Sequence, residues 1–102
     1  MSDINAVFTV DELKARLGID YTDEQIETNL RRAIATADGE LRESVGDNYP
    51  VDHPLTKELA LAYAANSYEN GDVLTGNAEK QAEQMALKIR LYMRRAANEQ
   101  GI

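Results

Sequence analysis

The only histidine in the 102-residue chain, His53, stands directly before Pro54. An imidazole acting as general base must reach a nucleophile and be held by an oriented carboxylate. No such pairing can be read around His53, so it reads as a loop or helix-cap residue. Asp20, Asp23 and Glu24 place three carboxylates close together. They lack the regular ligand spacing and central glycine of a calcium loop. Carboxylates at a helix start, facing the positive end of the helix dipole, account for them. There is no cysteine, which removes disulfides, thiolate zinc sites and a cysteine nucleophile. No phosphate loop, dinucleotide fingerprint, His-Glu-x-x-His or nucleophile elbow occurs. The residues predict no enzyme, no cofactor and no metal site.

The remaining concentrated chemistry is charge. Residues 1–79 hold 16 acidic against 6 basic side chains, and residues 80–102 hold 2 against 5, giving the net charge of −7. Lys88, Arg90, Arg94 and Arg95, with Leu91 among them, form a basic cluster near the end of the chain. Three readings apply: a solvated face complementing a helix dipole, a docking surface for an acidic partner, and a contact with nucleic acid. An acidic body and sparse aromatic side chains weigh against the third. Tyr63, Tyr68 and Tyr92 lie in or beside apolar stripes and suit core or interface packing better than a ligand cage. Arg42, near Glu40 and Glu43, reads as pairing within its own helix.

These side chains must be held by helices. Thr9 and Glu12 have the spacing of a capping box, Val10, Leu13 and Leu17 follow on one face, and Gly18 ends the helix. Phe8, just before the cap, is placed to staple against Leu13. Thr22 and Gln25 repeat the device. Ile26, Leu30, Ala33, Ile34, Ala37, Leu41 and Val45 then make an apolar stripe ending at Gly46. Gly39, inside that helix, predicts close packing or a bend at a cost of about 1 kcal/mol. Pro54 suits the first position of a third helix capped by His53 or Asp52, which ends at Asn70-Gly71. Its apolar residues spread widely round the circumference, as in a central helix contacted from several directions. A last helix is expected from about Ala78 to Ala97, its stripe (Ala82, Met85, Ala86, Ile89, Tyr92 or Met93, Ala96) widened by Leu87 and Leu91. Between the last two helices, Val73 and Leu74 are apolar residues with no evident core to enter. Nothing reads as a strand beyond short extended pieces near Val7 and Val51.

A chain of this length buries roughly 65% of its unfolded surface, enough for one modest core. The expectation is therefore an all-α single domain over residues 1–102: a short first helix, two long central ones and a C-terminal one, with loose ends at 1–7 and 98–102. The N-terminus lacks a signal-peptide pattern and no apolar run approaches the roughly 20 residues needed to span a bilayer, so a soluble cytoplasmic product is expected.

Val10-Asp-Glu-Leu-Lys-Ala-Arg-Leu-Gly-Ile-Asp20, Thr22-Asp-Glu24, Leu30-Arg-Arg-Ala33, Leu61-Ala-Tyr63 and Tyr68-Glu-Asn70 together resemble the head–tail connector (adaptor) proteins of tailed bacteriophages and prophages. The resemblance spans most of residues 8–70. Gly71 stands where that family often has an arginine, and the last third matches only loosely. The resemblance implies a ring of about a dozen subunits in the virion neck, beneath the portal. The ring would extend the DNA channel, without sequence-specific DNA binding, and attach a downstream neck or tail-completion protein. Such subunits are made in the host cytoplasm and can remain monomeric in isolation. A ring needs surplus apolar surface on two different faces. On this basis Tyr63, Tyr68, Val73 and Leu74 are expected at subunit contacts, and Lys88, Arg90, Leu91, Arg94 and Arg95 at the portal or neck. The rivals are a small DNA-binding regulator using the basic C-terminal helix and a helical protein-binding regulatory module.

Overall fold

Three of the four α-helices begin where a side chain accepts from the unpaired N–H groups of a first turn. In the computed structural model, which describes residues 3–71 and 74–100, Thr9 caps α1 (Val10–Leu17). Its Oγ1 accepts from the Glu12 N–H at 3.1 Å while Glu12 Oε1 accepts from the Thr9 N–H at 2.9 Å. Gly18 closes α1 with φ 74°, a left-handed geometry that strains any other residue. α2 (Glu24–Ser44) begins one residue later than the sequence suggested: Asp23, not Thr22, is the cap, with Oδ1 accepting from the Ile26 N–H at 2.8 Å. A carboxylate there also meets the positive end of the dipole, which a hydroxyl cannot do. Thr22 accepts instead from Lys14 Nζ. α3 (Pro54–Asn70) is capped by His53, whose Nδ1 accepts from the Leu55 N–H at 3.1 Å. α4 (Gly76–Gln100) starts earlier and ends later than expected.

The described residues form an all-α domain of four α-helices with no strand. The piece expected to be loose at the N-terminus is ordered into packing: Ile4–Ala6 form a 3-10 turn, and Val7 and Phe8 are 3% and 4% exposed. No described helix is long and apolar enough to cross a membrane.

α3 is the hub, packing against α2, α4 and α1. Leu59, Ala60 and Ala64 of α3 meet Leu30, Ala37 and Leu41 of α2, Leu13 of α1, and Ala82, Ala86 and Ile89 of α4 in one core cluster. Alanines at these crossings let helix axes approach closely with little side-chain entropy lost. Phe8 and Leu13 share that core, as a staple requires. Val10 does not: it is 45% exposed, because two turns of α1 bury only Leu13 fully and Leu17 in part. Gly39 is exposed and a Cβ there would meet nothing within 4 Å, so close packing is not its reason.

Two ion pairs fasten α1 to α3. Lys57 Nζ donates to Glu12 Oε2 at 2.6 Å, and Arg16 lies 3.4 Å from Glu58. The Lys57 contact and the Thr9 backbone N–H hold the Glu12 carboxyl below its ordinary range. Tyr49, in the turn after α2, is 2% exposed, and its hydroxyl donates to Asp38 Oδ1 at 2.7 Å. Arg42 pairs within its own helix, with Asp38 one turn back at 3.1 Å, and also with Asp47 at 3.5 Å. Its guanidinium sits 5.9 Å from the centre of the Tyr49 ring.

The molecule measures 51 × 28 × 18 Å, with a radius of gyration of 14.2 Å against about 13 Å for an average domain of this length. The elongation follows from α4. Twenty-five residues make a rod of about 37 Å, and its antiparallel partner α3 is shorter.

Candidate docking surfaces

α4 has two opposed faces. Ala82, Ala86 and Ile89 are buried against α3, with Met85 and Met93 half-buried beside them. Leu87 and Leu91, one turn apart on the far side, are 50% and 40% exposed. They do not widen the core stripe as expected. Apolar residues cover so much of this helix that spacing alone does not fix which of them turn inward. Lys88, Arg90, Arg94 and Arg95 are exposed round the two leucines. None has an ion-pair partner among the described residues. Tyr92 is 44% exposed, its ring edge-on to His53 at 4.5 Å between centroids. That contact aligns the middle of α4's C-terminal half with the start of α3. The turns carrying Arg94 and Arg95 therefore run past the beginning of α3.

At the opposite end of α4 lies a cleft of about 420 Å³ between its first turns and the last turns of α2. Tyr63, Leu74 and Ala82 give it an apolar floor; Glu40, Glu43, Glu79 and Glu83 ring it. Burial, and then the neighbouring Glu43 charge, push the Glu40 carboxyl above its ordinary range. The Tyr63 hydroxyl is likewise pushed up, chiefly by burial, with Glu40 and Glu83 adding to it. A cation entering this cleft would relieve like charges already crowded there. Among the described residues, no group of three or more histidines, cysteines and carboxylates could hold a metal ion.

Of the residues expected at subunit contacts, Tyr63 is 9% exposed, with its hydroxyl donating to Ser44 Oγ at 3.2 Å, and its ring lines the acidic cleft. Tyr68 is half-buried against the same core. Leu74 does find a core, packing partly buried against it while lining the cleft. Val73 lies outside the described residues. The residues expected at the portal or neck, Lys88, Arg90, Leu91, Arg94 and Arg95, are exposed throughout, and Leu87 is exposed beside them. The acidic cleft was missed. Glu40 and Glu43, and Glu79 and Glu83, have one-turn spacing, yet nothing in the sequence places the end of α2 beside the start of α4.

Compared with protein-family models, curated proteins and solved structures, the chain has no match.

Proposed function

We propose that this chain is a structural adaptor of a phage or prophage particle, assembling as a ring beneath the portal, where it extends the DNA channel and attaches a neck or tail protein. One observation carries the reading: each subunit has a leucine-bearing cationic face running from the middle of α4 toward its C-terminus and an acidic cleft at the first turns of the same helix. Two unlike, complementary faces on one subunit suit the heterologous contacts from which closed rings are built. The likeness of residues 8–70 to head–tail connector proteins adds to it. An acidic body also suits a conduit through which DNA slides without sticking.

The test is imaging by negative stain, with mass measurement in solution, of this chain alone and mixed with a portal protein from the same phage or prophage genome. Closed rings seated on the portal are the expected outcome. Absence of any assembly, alone or on the portal, overturns the reading. Duplex DNA binding that falls steeply with salt would instead favour a small regulator using α4.

A further inference from the structure

We infer that the outer face of α4, Leu87 and Leu91 with Arg90 and Arg94, docks into the acidic cleft of a second copy of this chain. The inference rests on the ring reading and reassigns this face from the portal to the neighbouring subunit.

The face itself limits its occupant. Two leucines that α4 leaves half in water, one turn apart, form a small apolar ridge. Four cations without an ion-pair partner among the described residues surround it. Pairing this face with its own image would bring eight cations together, so a symmetric dimer through it is disfavoured. The occupant must be apolar in the middle and acidic at the rim. The cleft between α2 and α4 has that composition: Leu74, Ala82 and the Tyr63 ring below, four glutamates above. Four carboxylates match four cations in number, and Glu40 and Glu43 already repel each other.

The cleft takes the first turns of α4 and the cationic face its middle and later turns, and both are fixed on one rigid helix, so one subunit cannot fold this face into its own cleft. Each copy donates at one end and accepts at the other. Such a contact is head-to-tail, and it closes into a ring when the rotation between neighbours allows.

Sedimentation velocity over a concentration series, at low and high salt, measures this. The wild-type chain should gain mass with concentration, and added salt should weaken the association. Arg90→Glu with Arg94→Glu, or Glu79→Lys with Glu83→Lys, should each weaken self-association by about tenfold or more. Mixing the two double variants should restore association, because each then offers the other a complementary face. Leu87→Ala with Leu91→Ala should weaken association without changing charge. Circular dichroism melts identify any variant that fails to fold.

A wild-type chain that stays monomeric at every concentration in low salt overturns the inference. So does association that survives the charge reversals, or loss of duplex DNA binding as the only effect of Arg90→Glu with Arg94→Glu. The ring reading fails separately. If rings form on the portal and the Arg90→Glu, Arg94→Glu chain enters them as readily as wild type, the docking contact is wrong and the ring stands. If the charge-swapped mixture associates but no ring forms on the portal, the contact stands and the adaptor reading falls.

Discussion

The Tyr49 hydroxyl, in the turn that follows α2, donates to Asp38 Oδ1 at 2.7 Å and so ties that turn back onto the middle of the helix. Asp38 spends its other oxygen on Arg42 at 3.1 Å, which fixes the carboxylate in place as an acceptor. Tyr49→Phe keeps the buried ring and removes only the bond. It should cost about 1–2 kcal/mol, read as a lower denaturant midpoint with an unchanged slope. No loss of midpoint would mean that the bond contributes nothing to the turn.

The same burial, helped by the Asp38 contact, pushes the Tyr49 hydroxyl well above its ordinary value of 10.0, and Tyr63 moves the same way. A tyrosine whose folded pKa is raised contributes stability that is complete below the unfolded pKa and lost as pH rises through the folded one. Stability should therefore be insensitive to these two groups below about pH 10 and fall above it. Thermal melts across the alkaline range should show the fall, and Tyr49→Phe should make it shallower.

Gly39 lies exposed within α2, with open space where a Cβ would stand. Gly39→Ala should raise stability by about 1 kcal/mol, through helix propensity and a less flexible unfolded chain. A thermal melt that moves up by several degrees checks it; a lower melting temperature would mean that this position is constrained by something other than space.

Thr56 Oγ1 is buried without a hydrogen-bond partner among the described residues, on a residue that is 0% exposed. Replacing the hydroxyl by a methyl of similar shape removes that desolvation cost. Thr56→Val should be neutral or stabilising by about 1 kcal/mol. A marked loss in a denaturant titration would show that the hydroxyl is satisfied in solution.

His53 both caps α3 and stacks edge-on against Tyr92. His53→Asn restores a capping acceptor without the ring, whereas His53→Ala removes both. Alanine should cost about 1 kcal/mol, and asparagine should recover part of that. Equal losses in the two variants would place the whole effect in the ring contact.

The helices were legible because their ends are written in a few residues. Thr9 with Glu12, Pro54 after His53, and Gly18 and Gly71 each announce a boundary that the structure keeps. The start of α2 was misplaced by one residue: Thr22 with Gln25 has the capping-box spacing, but the Asp23 carboxylate caps and also meets the positive end of the dipole. Periodicity located the stripe of α4 but not its width: Leu87 and Leu91 fit the spacing and still face water. Tyr49 lies in a turn where no period applies, so its partnership with Asp38 left no trace in the pattern. The acidic cleft depends on how α2 and α4 sit beside each other across α3, a long-range relation that local signals do not hold.

Glu12 serves two masters with two oxygens, one closing the Thr9 cap and the other gripping Lys57 on α3. Fraying the first turn of α1 thus loosens its anchor, and lifting α1 from the hub opens its cap. The segment should exchange its amide protons as one cooperative block, without the graded unravelling that eight-residue helices ordinarily show. Acid that protonates this carboxylate would release both ends of the linkage together.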